Sequence, residues 1–157
     1  MTVSEERSVR RFHASCAARR GKGVLLFGPS GTGKSDLLLR LMARGYALVA
    51  DDRVEMTAGM ARAPMRLRGL IEVRGWGIVR CPFVAEAPAV LAVRLLRESE
   101  VAPRLPAEGG THPETGLPVL YLDGMMASAP ERIDIALDCL EERAFLVPQS
   151  AMLASDD

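Results

Sequence analysis

Short apolar runs alternate with polar or glycine-rich turns along most of the chain. These runs predict β-strands at residues 9–17, 24–27, 46–50, 88–96 and 118–122, and a β-hairpin at 53–65. Arg19, Arg20 and Gly21 predict a turn that joins the first two strands as a hairpin. Residues 66–83 predict one alternating strand with a Gly-x-Gly bend, and residues 97–117, rich in proline and glycine, predict a long loop.

Two segments have helical spacing of their apolar residues. The first spans residues 36–44, and Gly45 directly after it is typical of a helix end. The second begins after Ser128 and runs to about Arg143, where Ser128 and Glu131 predict a capping box. Strands that alternate with helices in this way predict an α/β fold with a mixed, strongly twisted sheet.

Composition narrows the class of protein further. A chain of 157 residues with 48% hydrophobic residues predicts one globular domain, with a core over residues 8–143 and a polar tail at 144–157. Twenty basic and twenty acidic side chains cancel, which argues against nucleic acid as the main partner. No apolar run has the length of a membrane span, so we expect a soluble, cytoplasmic protein.

Residues 28–35 carry the strongest chemical signal in the sequence. They fit the Walker A or P-loop pattern G-x-x-x-x-G-K-[ST], with a strand predicted before them and a helix after them. Such a loop curls its backbone N–H groups around phosphate at a helix N-terminus. The pattern predicts a site for ATP with Mg²⁺, in which the lysine reaches the phosphates and the serine hydroxyl binds the metal. The predicted nucleotide-binding residues are Gly28, Pro29, Ser30, Gly31, Thr32, Gly33, Lys34 and Ser35.

Two adjacent acids, Asp51 and Asp52, follow the strand predicted at residues 46–50. Ligands of open α/β sheets gather at the carboxyl ends of strands, so these acids are expected to face the nucleotide. One could orient a metal while the other serves as a base, because neighbouring side chains on a strand end point in different directions. His13 and Glu72 are weaker candidates, since a lone histidine is more often structural than catalytic and a bent strand explains the residues around Glu72 equally well.

Four features together resemble the catalytic domain of the HPr kinase/phosphorylase family. They are the spacing from His13 to Gly23, the sequence GPSGTGKS, the sequence RGYALVADD and the sequence IEVRGWGIV. The last contains the family signature Glu, aliphatic, Arg, Gly, any residue, Gly, aliphatic, which residues 72–78 fill at all seven positions. The matched region covers about residues 9–83, and the chain resembles a short form with the catalytic domain alone.

The resemblance implies an ATP-dependent protein-serine kinase that phosphorylates HPr, the small phosphocarrier of the sugar phosphotransferase system. It also implies a PEP-carboxykinase-like P-loop architecture and a hexameric assembly. Carried over by position, Asp52 is the base, Asp51 a supporting acid and His13 a second-sphere catalytic group. The metal ligands implied are Ser35 and Glu72, Lys34 bridges the phosphates, and Arg104 is similar to a catalytic arginine.

The chain departs from the family pattern after residue 117. Family members that also remove the phosphate by phosphorolysis carry a segment similar to Pro-Val-x-x-Gly-Arg-Asn, whereas residues 118–124 are PVLYLDG here. The resemblance therefore favours the kinase reaction over the reverse reaction. Two other functions remain open from the sequence, a P-loop kinase acting on a small molecule and a nucleotide-binding regulatory module without turnover.

Overall fold

The computed structural model describes residues 8–101 and 110–147, in which strands and helices alternate. The strands of the first half are β1 (Arg10–Phe12), β2 (Ala14–Arg19), β3 (Lys22–Phe27), β4 (Ala47–Ala50), β5 (Val54–Thr57) and β6 (Met60–Arg62). Those of the second half are β7 (Leu70–Val73), β8 (Gly77–Arg80), β9 (Ala87–Leu95) and β10 (Val119–Leu122). The helices are α1 (Lys34–Ala43) and α2 (Ala129–Leu140), and Met65–Leu67 form one 3-10 turn.

Eight of the described strands form one mixed sheet in the order β1-β5-β6-β9-β3-β2-β4, with β10 also paired to β9. The β3–β9 and β9–β10 pairs are parallel, whereas β2 is antiparallel to both β3 and β4. The strand β9 pairs with β6 through its first residues and with β10 through its last. The predicted mixed α/β fold is therefore confirmed.

Apolar side chains cover both faces of this sheet because successive residues of a strand point to opposite sides. In β3, Val24 and Leu26 belong to one core cluster, while Leu25 and Phe27 belong to the other. The first cluster also contains the leucines of α1 and the buried face of α2. The helices therefore cover one face of the sheet, and the β5–β6 hairpin contributes to the cluster on the opposite face.

Two predicted strands are each divided in the structure. Residues 9–17 form β1 and β2, which separate at His13 because β1 pairs with β5 while β2 pairs with β3 and β4. Residues 66–83 form the antiparallel hairpin β7–β8 rather than one bent strand. Gly75 adopts φ 83°, and the N–H of Trp76 donates to the carbonyl of Val73 at 3.0 Å, so the chain reverses there.

The ends of the two helices differ in how well they follow the prediction. Gly45 adopts φ 97° after α1, and the N–H groups of Gly45 and Tyr46 donate to the carbonyls of Met42 and Leu41, which completes a Schellman motif. The capping box at Ser128 is wrong, since that side chain caps no backbone N–H. Its hydroxyl instead accepts a hydrogen bond from Arg132 at 3.0 Å. No helix within the described ranges combines the length and apolar character needed to cross a bilayer.

The buried side chain of His112 should make the free energy of unfolding depend on pH. Its buried ring stacks on Phe27 with centroids 4.2 Å apart, and its Nδ1 accepts the N–H of Glu114 at 3.3 Å. Burial lowers the pKa of His112, Arg94 lowers it further, and Glu114 opposes them. The unfolded chain then binds more protons than the folded one as pH falls through about 6.5, so the free energy of unfolding decreases on acidification, by at most about 1.4 kcal/mol per pH unit.

Urea unfolding at pH 7.5, 6.5 and 5.5 checks this prediction. His112→Asn keeps an acceptor near the Nδ1 position but cannot titrate, so its stability should vary less with pH over this range than that of the wild type. If the free energy of unfolding changes equally with pH in the wild type and in His112→Asn, His112 is not the cause of the pH dependence.

Candidate active site

The strand directions bring the candidate functional residues to one edge of the sheet. Because β3, β4, β9 and β10 all run the same way, their carboxyl ends lie together, and the antiparallel β2 begins at that edge. The glycine-rich loop follows β3, Asp51 and Asp52 follow β4, and His13 precedes β2. Residues far apart in sequence therefore meet where open α/β sheets usually bind their ligands.

The loop at residues 28–35 is held by its own hydrogen bonds. Thr32 is buried, and its Oγ1 donates to the carbonyl of Pro29 at 2.6 Å. Gly33 adopts φ 89° immediately before α1, a conformation that glycine adopts readily. Lys34 is only 7% exposed, and its Nζ donates to the carbonyl of Gly28. The loop thus ends at a helix N-terminus whose first N–H groups have no intrahelical acceptor, which is an arrangement suited to anions.

A second segment, residues 123–127, packs against this loop. A Cβ atom at Gly124 would lie 2.7 Å from the carbonyl oxygen of Thr32, so only glycine allows the two backbones to approach so closely. Arg40 of α1 holds the segment in place by donating to the carbonyls of Gly124, Met126 and Ala127 at 3.0, 2.9 and 2.9 Å. The side chain of Met125 consequently lies at the rim of the loop.

Asp51 is surrounded by hydrogen-bond donors. Its Oδ1 accepts from Ser15 Oγ at 3.3 Å and from Ser35 Oγ at 3.4 Å, and its Oδ2 accepts the backbone N–H of Glu72 at 3.1 Å. Burial raises the pKa of Asp51, the charge of Asp52 raises it too, and the donors partly offset both effects. Asp51 therefore connects β2, α1 and β7 through its hydrogen bonds to Ser15, Ser35 and Glu72.

Asp52 is more exposed and pairs with a different residue. Its Oδ1 lies 2.5 Å from Nε2 of His13, and both side chains are more than half exposed. The backbone of Asp52 has φ 68°, and its N–H donates to Ser15 Oγ at 3.0 Å. The two adjacent acids thus have different surroundings, since one is half-buried among donors and the other is an accessible carboxylate that a histidine orients.

One cleft of about 410 Å³ collects most of the predicted site residues. Those that line it are His13, Ser30, Gly31, Gly33, Lys34, Ser35, Asp51, Asp52 and Glu72. Gly28, Pro29 and Thr32 shape the loop without lining the cleft, and Arg104 lies outside the described residues. The lining also includes Asp36, Leu39, Arg74 and Met125, which were not predicted as site residues. Arg74 stands in the signature and Asp36 directly follows the loop motif, whereas no sequence signal marks Leu39 or Met125.

The oxygen donors of the cleft suit a Mg²⁺ ion that is also bound by water and substrate phosphate, rather than a metal held by protein side chains alone. Hydroxyl and carboxylate oxygens come from Ser35, Asp51 and Glu72, which line the same cleft. Within the part of the chain that the structure describes, no three histidine, cysteine or acidic side chains surround one metal position. Mg²⁺ commonly takes one or two protein ligands and fills its remaining positions with water and substrate phosphate oxygens.

Ser15 links the two acids, although the sequence did not mark it as a site residue. Its replacement should therefore lower the stability of the protein. This fully buried hydroxyl donates to Asp51 and accepts from the N–H of Asp52. Ser15→Ala should leave that N–H without its acceptor and lower the free energy of unfolding by about 1–3 kcal/mol. Urea unfolding measures this effect, with Ser99→Ala at an exposed turn position as control, for which we expect a change within about 0.5 kcal/mol. Equal losses in the two variants would contradict the role of Ser15.

Comparison with known proteins identifies the family of the chain. A family model described as the HPr Serine kinase C-terminal domain matches residues 5–88. The HPr kinase/phosphorylases of Burkholderia cenocepacia (strain HI2424) and Burkholderia mallei (strain SAVP1) are each 40% identical over 112 residues. These matches cover 63% of this chain and 35% of each relative, so the chain spans about a third of the length of the relatives it matches.

A solved structure, the HPr(Ser) kinase/phosphatase from Coxiella burnetii, has the same fold. It superposes with a TM-score of 0.68 at 22% identity, over 86% of this chain and 99% of that one. The fold and the cleft define a mixed α/β protein with a glycine-rich loop and two acids at the strand ends. Within that class, the chain belongs to the HPr serine kinase C-terminal domain family.

Proposed function

We propose that the protein is an ATP-dependent protein-serine kinase whose acceptor is HPr or a related phosphocarrier protein. The observation that carries the proposal is the position of the His13–Asp52 pair in the same cleft as Lys34 and Ser35. An exposed carboxylate beside a phosphate-binding loop is the arrangement that transfer to a hydroxyl requires. Family membership and the names of the relatives support the choice of acceptor.

In this proposal the loop at residues 28–35 acts as a P-loop within a PEP-carboxykinase-like architecture. The backbone amides of the loop and the N-terminus of α1 bind the phosphates of ATP. Lys34 exchanges its bond to the Gly28 carbonyl for contacts with the β- and γ-phosphates. Ser35 and Glu72 would hold Mg²⁺, which neutralises charge on the phosphates when it is bound.

The two adjacent acids, Asp51 and Asp52, have different roles in the proposed reaction. Asp52 accepts the proton of the acceptor serine as that oxygen attacks the γ-phosphorus, and the bond from the γ-phosphorus to the bridging oxygen breaks to release ADP. His13 keeps the Asp52 carboxylate in place. Asp51 supports the metal side of the cleft through Ser35 and the backbone of Glu72. Arg104 as a further catalytic group stays a prediction.

The remaining parts of the proposal rest on the family and on the sequence. We expect one catalytic domain with its core at residues 8–143, located in the cytoplasm and assembled as a hexamer. We expect transfer from ATP to HPr rather than phosphorolysis, because residues 118–124 lack the arginine-containing segment that family members use for the reverse reaction.

The experiment that tests this function combines the purified protein with Mg²⁺, labelled ATP and purified HPr proteins. Mass spectrometry should locate acid-stable phosphate on one HPr serine. Added inorganic phosphate should not remove it. ATP binding without label on any HPr would overturn the proposed acceptor and would favour a small-molecule kinase or a nucleotide-binding regulatory module.

A further inference from the structure

Three cavities converge on the His13–Asp52 pair. His13 lines both the cleft with the glycine-rich loop and a second groove of about 740 Å³. Asp52 lines that cleft and a third, smaller cavity of about 170 Å³ beside the β7–β8 hairpin. Arg53 and Leu67 line both the second and the third cavities. The second and third cavities therefore adjoin each other, and together they form a surface that reaches the His13–Asp52 pair from the 3-10 turn and the β7–β8 hairpin.

Exposed apolar side chains lie on this surface. Met65 is 78% exposed in the 3-10 turn, and Ile78 is 75% exposed on β8. Exposed apolar groups that are clustered, rather than scattered, mark contact sites on protein surfaces. We call Arg53, Met65, Arg66, Leu67 and Ile78 the acceptor face.

The charge of the acceptor face is positive. Arg53 and Arg66 are exposed, and neither has an ion pair among the described residues. Glu55, the acid that lines the second groove, lies 3.4 Å from Arg11 and 3.8 Å from Arg62. Its negative charge is thus already compensated, which leaves Arg66 available to a partner, whereas Arg53 shares the third cavity with Asp51, Asp52 and Glu72.

We propose that the acceptor face is the docking surface for the protein that receives the phosphate. The occupant is a protein segment that carries the acceptor serine next to an apolar side chain and close to acidic residues. A serine that reaches Asp52 places its neighbours over Met65 and Ile78, because the cavities that they line open at the His13–Asp52 pair. This inference rests on the proposed kinase function, to which it adds the position and the chemistry of the protein contact.

The test uses variants of the acceptor face that leave the catalytic machinery unchanged. Arg66→Glu and the double variant Met65→Ser with Arg66→Glu alter exposed positions of the 3-10 turn. Arg143→Glu is the control for charge reversal at another exposed arginine, close to the opposite end of β2, where Glu141 meets Arg19. Because Arg143 lies 3.6 Å from an acid, Glu141, whereas Arg66 has no ion pair among the described residues, urea unfolding checks that this variant is folded. Initial rates with increasing HPr give KM and kcat, and titration with ATP gives the nucleotide affinity.

We expect Arg66→Glu to raise KM for HPr about five- to tenfold and the double variant to raise it further. The kcat value and the affinity for ATP should stay within about twofold of the wild type, and Arg143→Glu should behave like the wild type. KM should increase with salt in the wild type and respond less to salt in Arg66→Glu.

The outcomes separate the docking surface from the proposed function. Normal phosphorylation of HPr with an unchanged KM in both variants would overturn the acceptor face while the kinase function stands. A wild-type protein that binds ATP but neither binds nor phosphorylates HPr would overturn the kinase function, and the docking proposal with it. If Arg66→Glu loses ATP affinity by the same factor by which its KM for HPr rises, the groove binds the nucleotide, and this result would also overturn the proposal.

Discussion

Asp52→Asn should lower kcat for transfer of phosphate to HPr by about 10²–10⁴-fold while ATP still binds with nearly wild-type affinity. The carboxamide has the size of the carboxylate and can still bond to His13, but it cannot accept the proton of the serine hydroxyl. Asparagine also tolerates the left-handed backbone conformation at this position, where φ is 68°. The loss should therefore be chemical rather than structural.

Single-turnover rates with labelled ATP measure this effect, and equilibrium titration measures nucleotide binding separately. Glu86→Gln is the control, because Glu86 is an exposed acid that does not line the cleft. The assignment of Asp52 as base fails if Asp52→Asn retains more than about a tenth of the wild-type rate. It also fails if the variant loses ATP binding in the same proportion as transfer.

Local patterns predicted the features that depend on neighbouring residues. The β2–β3 hairpin, the β5–β6 hairpin and the end of α1 all follow from turn residues directly beside apolar runs. The position of Asp51 and Asp52 could also be predicted, because Tyr46 and the buried residues of β4 precede them without interruption. The sequence consequently predicts the candidate site best where the residues of the site are contiguous in the chain.

Features that depend on pairing between distant strands could not be predicted in this way. The break at His13 arises because β1 pairs with β5 while β2 pairs with β3, and no residue of 9–17 indicates that choice. Ser15 is an ordinary strand residue by sequence, and its contacts with Asp51 and Asp52 exist only once β4 lies beside β2. The same holds for Met125, which Arg40 brings to the cleft by binding the carbonyls around it.

The capping box failed for a related reason. Ser128 and Glu131 have the correct spacing, but Ser128 has φ −88° and ψ 10° rather than the extended backbone of an N-cap, and its hydroxyl bonds to Arg132. Arg40 binds the carbonyls of Met126 and Ala127 and fixes how the chain enters α2. A tertiary contact thus overrides a local preference at this helix end.

Lys34→Met should reduce both nucleotide affinity and phosphate transfer, in contrast to the loss of transfer alone expected for Asp52→Asn. Methionine is unbranched, forms helices about as well as lysine and fits a position that is 7% exposed, so α1 should persist. Without the ammonium group, the charge that develops on the β- and γ-phosphates loses its only lysine partner in the loop. We expect kcat to fall about 10²–10³-fold, the magnitude typical of removing one preorganised group that stabilises a transition state.

Lys22→Met is a closely matched control, because the chain contains only these two lysines. Lys22 begins β3, at the end of the strand opposite the glycine-rich loop, so its removal should leave ATP affinity and transfer unchanged. Titration with ATP and initial rates with HPr compare the three proteins, and unfolding in urea checks that each is folded. If Lys34→Met binds ATP and transfers phosphate as well as Lys22→Met does, the bond from Lys34 to the Gly28 carbonyl is structural and the loop does not act as proposed. Loss of both activities in Lys34→Met alone, with stability retained, assigns the phosphates to this loop because no other described lysine can reach them.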